Sequence, residues 1–271
     1  MCAMQATQTS SLEWEKREHR ASELAESNPA ATEVMVFYAA VLSLQKQVFV
    51  AAAREFRVAP EVPLRAQFDL TFAASHLKDM VRNALKSGPS GVSAAAKDLQ
   101  QQGEAHHREL LDSVASTPLF DPSNVEQFFA RAVLQPYAEA LARQLPAPIG
   151  YSGAVCPFCD GAPLAAVLRP EGDGAKRFLL CSLCLREWEF RRVICAWCGE
   201  QDHHKLPRFG TDELPHVNVF ACDTCKHYLK GVDLTVNGLA VPLVDEVAAA
   251  PLDLWATEQG YTKTVVNLLG M

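Results

Sequence analysis

Apolar side chains in the first 145 residues recur with the period of a helix. Val34, Phe37, Val41, Leu44 and Val48 fall three and four apart, which predicts a helix with one apolar stripe running to about Arg57. Asn28 stands where a capping side chain is wanted, and Pro29 takes the first helical position, where a missing N–H costs nothing. Pro60 and Pro63 end that pattern. A second helix is predicted from about Leu64, carrying Phe68, Phe72, Leu77 and Leu85; Lys86, Gly88 and Pro89 supply a cationic last turn, a glycine cap and a stop. A third spans about Gly91 to Ala115 and is weakened by Gly103. Asp121-Pro122 opens another, with Phe128, Phe129, Val133, Tyr137 and Leu141 inward and a kink expected at Pro136. With a short first helix around Leu12–Ala25, residues 1–148 read as a bundle of about five helices whose aromatic stripe is core. His106-His107 fall on a polar helix face.

The pattern then changes. Residues 145–153, LPAPIGYSG, make a linker rich in proline and glycine. Beyond it the helical period disappears, and short strand-like runs (Arg177–Leu180, Glu189–Ile194, Val217–Ala221) lie beside cysteines. A tail after Lys230 holds a helical stretch near Val244–Gln259, interrupted by Pro251, and a last apolar run, VVNLLG.

Cysteine usage gives these strands their chemistry. Of nine cysteines, eight form four C-x-x-C pairs: Cys156/Cys159, Cys181/Cys184, Cys195/Cys198 and Cys222/Cys225; Cys2 reads as incidental. Two cysteines so spaced put both thiolates on one tight turn, and two such turns facing each other enclose a tetrahedral S4 site. The pairs are separated by 21 and 23 residues, room for a hairpin each time. VCPFCDG aligns with ICAWCGE, and RFLLCSLCLREW with NVFACDTCKHYL, at offsets of 39 and 41 residues. This is a duplicated module, each half too small to hold itself together by apolar burial and stabilised by a metal worth roughly 10–16 kcal/mol in peptide systems. Four pairs can combine three ways; the duplication favours sequential pairing over an interleaved one.

Other cysteine chemistries fit less well. Haem attachment needs histidine after the pair, whereas Asp160, Leu185, Gly199 and Lys226 follow here. The ferredoxin cysteine run is absent, and a thioredoxin-type dithiol uses one pair near a βαβ unit. His203 and His204 lie between two pairs and read as a solvated loop, since both S4 sets are complete without them. His227 reads equally as a donor behind Cys225 or an exposed strand position. Trp188 and Tyr228 read as packing aromatics.

Charge narrows the function classes. Lys and Arg number 25 against 32 Asp and Glu, a net charge of -7 over 271 residues. Residues 151–231 are balanced at 10 basic and 10 acidic, and no segment forms a basic patch, which weighs against a nucleic-acid binder. The polar opening MCAMQATQTSSLEWEKREHR is not a secretory signal, and VMVFYAAVLSLQKQVFVAAA is interrupted by Gln45, Lys46 and Gln47. A cytoplasmic protein is expected, with thiols reduced and available for metal. No nucleophile elbow, Walker loop or dinucleotide fingerprint is present, and a closed S4 site lacks an open coordination position, so the expectation is a protein without enzyme activity.

Several blocks resemble the FdhE family of formate dehydrogenase accessory proteins: REHRASELAESNP near the start, CPFCDGAP, RFLLCSLCLREWEFRRVICAWC, CDTCKHYLK and the EQGY of the last helix. The run C-x-x-C-x-x-x-W-x-x-x-R-V-x-C-x-x-C from Cys181 to Cys198 is specific; generic zinc ribbons do not carry it. The resemblance implies an α+β multidomain fold: a helical bundle (1–148), two tandem rubredoxin-like or zinc-ribbon four-cysteine modules (149–190 and 191–232) and a C-terminal tail with a short helix (233–271). It implies two metal ions, iron or zinc, held by the eight paired cysteines. It implies a cytoplasmic maturation role through binding the catalytic subunit of respiratory formate dehydrogenase before export. No nucleic acid and no membrane insertion belong to that picture, and a homodimer is compatible with it. The alternatives carried forward are a nucleic-acid-binding zinc ribbon and a rubredoxin-like electron carrier.

Overall fold

The structure, a computed structural model, describes residues 2–29, 31–117 and 124–271, with side chains from Leu12 onward. The helix opening expected at Asp121-Pro122 and the thiol of Cys2 lie outside the described residues. The chain divides into two compact units whose boundary in sequence falls at Pro146–Ala147.

Six helices are described in the first unit: α1 (Cys2–Ser27), α2 (Thr32–Glu55), α3 (Leu70–Ser87), α4 (Ser90–Gln101), α5 (Glu104–Ser116) and α6 (Glu126–Ala142). α1, expected as a short helix around Leu12–Ala25, begins ten residues earlier at Cys2, and three further boundaries shift, each for a local reason. α2 starts at Thr32 and not at Pro29, because the Asn28 N–H still bonds the carbonyl of Leu24 at 3.0 Å and so finishes α1. Its buried stripe includes Met35, Tyr38, Leu42 and Phe49 beside the expected Phe37, Val41 and Val48, while Val34 and Leu44 are only half-buried. The second predicted helix breaks after a 3₁₀ turn, Leu64–Gln67, and restarts at Asp69, whose carboxylate caps α3 by accepting from the N–H groups of Thr71 (2.7 Å) and Phe72 (3.0 Å). The third divides at Gln102-Gly103 into α4 and α5, the glycine that weakened it becoming the N-cap of α5. His107 corrects its expectation as well: it is buried, with Nε2 2.9 Å from the carbonyl of Leu99.

α6 is buried along its length from Phe128 to Ala142, and it runs through Pro136 without a break. A proline there cannot donate to the carbonyl four residues back, that of Ala132. The missing donor comes from α2: Gln45, fully buried, donates Nε2 to the Ala132 oxygen at 3.1 Å and to Gln135 Oε1 at 3.1 Å. The polar interruption of the most apolar segment thus has a tertiary cause. α2 is the one helix among the described residues long and apolar enough to cross a membrane, and its apolar stripe is buried within this unit. Glu139 joins α1 to α6, accepting from both Nη atoms of Arg17 at 2.8 Å. Burial would raise its carboxyl pKa, but Arg17 and Arg143 hold it below the usual range.

The second unit is built on one sheet. Its strands are β1 (Pro163–Glu171), β2 (Gly174–Cys181), β3 (Glu187–Glu189), β4 (Arg208–Gly210), β5 (Val217–Ala221), β6 (His227–Asp233) and β7 (Thr262–Lys263). The order is β3-β2-β1-β6-β5-β4, with β7 also pairing β6. Each cysteine repeat supplies an antiparallel set, and the two sets join where β1 pairs parallel with β6, Ala165 opposite Lys230 through Leu168 opposite Asp233. The run Glu189–Ile194 is strand only at its start; residues 191–194 turn away from the ladder. The tail forms α7 (Pro242–Ala248) and α8 (Ala250–Glu258), broken at Ala249 with Pro251 in the first turn of α8. Val217, Val219, Ala221, Tyr228 and Val232 of the sheet share a core with Ala249, Leu252, Ala256 and Tyr261 of the tail.

A buried ionic cluster fastens the tail to β6. Lys230, fully buried, lies 3.1 Å from Glu246 and 2.5 Å from Asp253; Lys263 lies 2.6 Å and 3.1 Å from the same two carboxylates. Asn267 donates to Glu246 at 2.9 Å and Tyr228 to Asp253 at 2.8 Å. Burial alone would push the Glu246 carboxyl up, but the two ammonium groups hold it down to about 2.

Both sets of contacts can be tested by substitution. Gln45→Leu leaves the Ala132 carbonyl without a donor and should cost about 1–3 kcal/mol in denaturant unfolding. Adding Pro136→Ala restores the backbone donor, so the double variant should recover much of that loss; strict additivity would show that Gln45 does not serve this carbonyl. Glu246, with a folded-state pKa below its unfolded value, contributes stability that is full above about pH 4.5 and is lost as pH falls toward about 2. Thermal melts across that window should show roughly 3 kcal/mol less acid sensitivity from this source in Glu246→Gln, alongside a lower stability at neutral pH.

Candidate metal centres

Four copies of one backbone turn present the paired cysteines. In each, the N–H of the first cysteine donates to the carbonyl five residues on: Cys156 to Gly161 (2.8 Å), Cys181 to Arg186 (3.0 Å), Cys195 to Glu200 (2.8 Å) and Cys222 to His227 (2.9 Å). In three, the residue after the second cysteine returns its N–H to the first cysteine's carbonyl. That residue is left-handed in all four: Asp160 at φ 56°, Leu185 at 54°, Gly199 at 79° and Lys226 at 57°. Only one of them is glycine, so three turns hold a side chain in a region costing an ordinary residue roughly 1–2 kcal/mol. These are the positions that excluded haem attachment in the sequence. The duplication is therefore written in the main chain as well as in the residues.

The turns meet in pairs, as sequential pairing requires. Cys156, Cys159, Cys181 and Cys184 form one group and Cys195, Cys198, Cys222 and Cys225 the other, with the sulfurs of each group within 4.8 Å of one another. All eight are free thiols. Four sulfurs at 2.3 Å from a common centre stand about 3.8 Å apart along each tetrahedral edge. The second group shows 3.8 Å between Cys195 and Cys225 and 3.7 Å between Cys198 and Cys222; in the first, Cys159 and Cys181 are 3.4 Å apart. The donor set and spacing fit a thiophilic cation such as zinc or iron, which when bound supplies a cross-link between two turns of the chain.

The two groups differ in exposure. The first is buried throughout, whereas in the second Cys222 is buried, Cys195 and Cys225 are half-buried and Cys198 is exposed. Burial pushes the Cys195 and Cys225 thiols up, while Cys198, against its smaller burial, is drawn down by the N–H of Glu200 and by neighbouring sulfurs. Thiols so close cannot all ionise without a cation between them.

The flanking residues resolve as follows. Trp188 and Tyr228 are buried, their polar atoms bonded to the carbonyl of Gly153 (3.0 Å) and to Asp253 (2.8 Å). His227 bonds the carbonyl of Cys225 through Nδ1 at 2.9 Å, so its ring supports the turn rather than a sulfur, and it stacks on Trp197 with centroids 4.4 Å apart. His203 and His204 lie on an exposed 3₁₀ turn after Asp202 and join neither cysteine group. One residue near the second group escaped the sequence pattern: Arg177, readable there only as the start of a strand.

Comparison with known proteins agrees with this architecture. Residues 155–192 match the domain described as FdhE, central domain, and residues 193–269 the one described as FdhE, C-terminal domain. A protein named FdhE homolog from Aquifex aeolicus is 38% identical over 116 residues, 42% of this chain and 41% of its own length. Another from Haemophilus ducreyi is 29% identical over 173 residues, 62% of this chain and 56% of its own. The chain thus matches between about two fifths and somewhat over half of the length of these relatives. The crystal structure of the FdhE protein from Pseudomonas aeruginosa has the same fold, with a TM-score of 0.71 at 24% identity over 94% of this chain and 95% of that one.

The left-handed positions make a prediction. Gly199→Val should destabilise the metal-loaded protein by on the order of 1–2 kcal/mol in thermal melts and speed metal loss to a chelator. Gly199→Asn, a residue that tolerates this conformation, should stay close to the parent. Equal behaviour of the two variants would mean that the turn does not require the left-handed state.

Proposed function

We propose that the protein, whose residues 155–269 match the FdhE central and C-terminal domains, is an accessory factor for the maturation of respiratory formate dehydrogenase. In this reading it binds the catalytic subunit in the cytoplasm before export, carries two metal ions, iron or zinc, in its four-cysteine sites, and catalyses no reaction itself. The observation that carries the reading is the pair of cysteine groups held on one continuous sheet. Each ribbon alone is too small to fold on apolar burial, so its metal acts as the core it lacks and stiffens a surface for docking.

A second reading, an electron carrier, is favoured by one feature: Cys198 brings a sulfur of the second group to the surface. Elemental analysis of anaerobically prepared protein separates the two. Zinc alone removes electron transfer, whereas iron with thiolate charge-transfer colour sustains it.

The maturation role is tested by deleting the gene. Formate-dependent dye reduction should fall to background while the catalytic polypeptide persists, and normal activity in a strain with no second copy would remove the proposal. Cys195→Ser and Cys222→Ser should lose metal and partner binding yet keep most of the helical circular dichroism. Full partner binding by a metal-free variant would assign docking to the helical unit instead.

A further inference from the structure

Arg177 lies in β2, four residues before Cys181 of the first cysteine group, yet its side chain bonds the segment that leads into the second. It is 4% exposed. Its Nη1 donates to the carbonyls of Arg191 (3.4 Å), Arg192 (3.2 Å) and Ile194 (3.1 Å), the segment that leads into Cys195. The guanidinium carbon sits 5.5 Å from the ring centres of both Phe190 and Phe220. Gly231 makes this possible, because a Cβ there would stand 2.1 Å from the Phe220 ring.

The charge of Arg177 has no carboxylate partner among the described residues, and its buried Nε donates to nothing. With Cys195 and Cys222 it lines a cavity of about 230 Å³ whose walls include no Asp or Glu. Burial draws the guanidinium down to about 10. Carbonyl dipoles soften the burial of a cation but do not neutralise it. Four thiolates around one divalent cation carry a net charge of about -2, so a metal centre there has the complementary need.

We propose that Arg177 is the counter-cation of the second cysteine group: a positioning residue, supplied by a strand of the first ribbon, that neutralises the metal–thiolate centre of the second and pins the segment entering Cys195. This rests on the second group holding a metal, as the proposed function has it. Metal retention at one ribbon then depends on a side chain of the other.

The test uses the full chain loaded with zinc under reducing conditions and titrated with a chromophoric chelator. The parent should hold two equivalents. Arg177→Gln, which keeps donors without charge, and Arg177→Met should release one of the two on the order of tenfold more readily, while Arg177→Lys stays near the parent. Far-ultraviolet circular dichroism checks the fold, and cobalt(II) in place of zinc reports whether the S4 environment persists. A second pair of variants leaves Arg177 and its bonds intact. Val193, 54% exposed and lining the same cavity, becomes a competing anion in Val193→Glu and a neutral control in Val193→Gln. The glutamate should loosen one equivalent and the glutamine should not. Parent-like retention in Arg177→Gln, loss in Lys equal to that in Gln, or equal behaviour of the two Val193 variants each overturns the assignment. A parent that binds no zinc, iron or cobalt would instead overturn the metal-bearing reading itself.

Discussion

Four sulfurs brought within a few ångströms of one another set the terms for the second unit. Neutral thiols make poor hydrogen bonds and thiolates repel, so such a group is stable as a unit only around a cation. The strands are arranged to deliver that convergence. β2 runs directly into Cys181, β5 ends just before Cys222, and β6 starts two residues after Cys225. Each turn closes a ring by donating the first cysteine's N–H to the carbonyl five residues on, and in the second group a further donor, the N–H of Trp197, points at the Cys195 sulfur. Apolar packing appears where the tail helices cover the sheet, and also beside the first cysteine group, where Phe158 and Trp188 are buried.

Much of this was legible in the chain because the chemistry repeats at fixed spacing. The C-x-x-C pairs, their offsets and the VCPFCDG and ICAWCGE match were enough to single out the eight cysteines and to favour the sequential grouping over an interleaved one, and Val217–Ala221 is a strand at its expected limits. Helix positions were legible where periodicity is long; the breaks at Asp69 and Gly103 belong to single capping residues that a period obscures. What escaped depends on partners far apart in sequence. Gln45 looked like a flaw in an apolar run because the carbonyl it serves is 87 residues away. Lys230, Glu246, Asp253 and Lys263 look like solvated charges one at a time and become a buried cluster only when the tail folds back on β6. Arg177 carries no motif at all.

The duplicated halves have diverged in solvent access. One cysteine group is sealed and the other keeps Cys198 at the surface beside the half-exposed Trp197, which stacks on His227. A buried thiolate centre is inert toward oxidants and competing ligands, whereas an exposed sulfur can meet both. The same turn, used four times, thus yields two centres of different chemical temperament, and the difference comes from their surroundings rather than from the ligands.

The parallel pairing of β1 with β6 also bears on how the chain is made. The antiparallel hairpin of β1 and β2 closes over a two-residue turn, but β1 meets β6 only after more than sixty intervening residues have been synthesised, and such non-local closure is slow. On a ribosome, the first four cysteines and their hairpin emerge together while the inner edge of β1 is still an open row of backbone donors and acceptors. That edge is a template for mispairing until β6 arrives. A cation captured early by Cys156, Cys159, Cys181 and Cys184 would fix the hairpin in its final register during that interval, before β6 covers the edge.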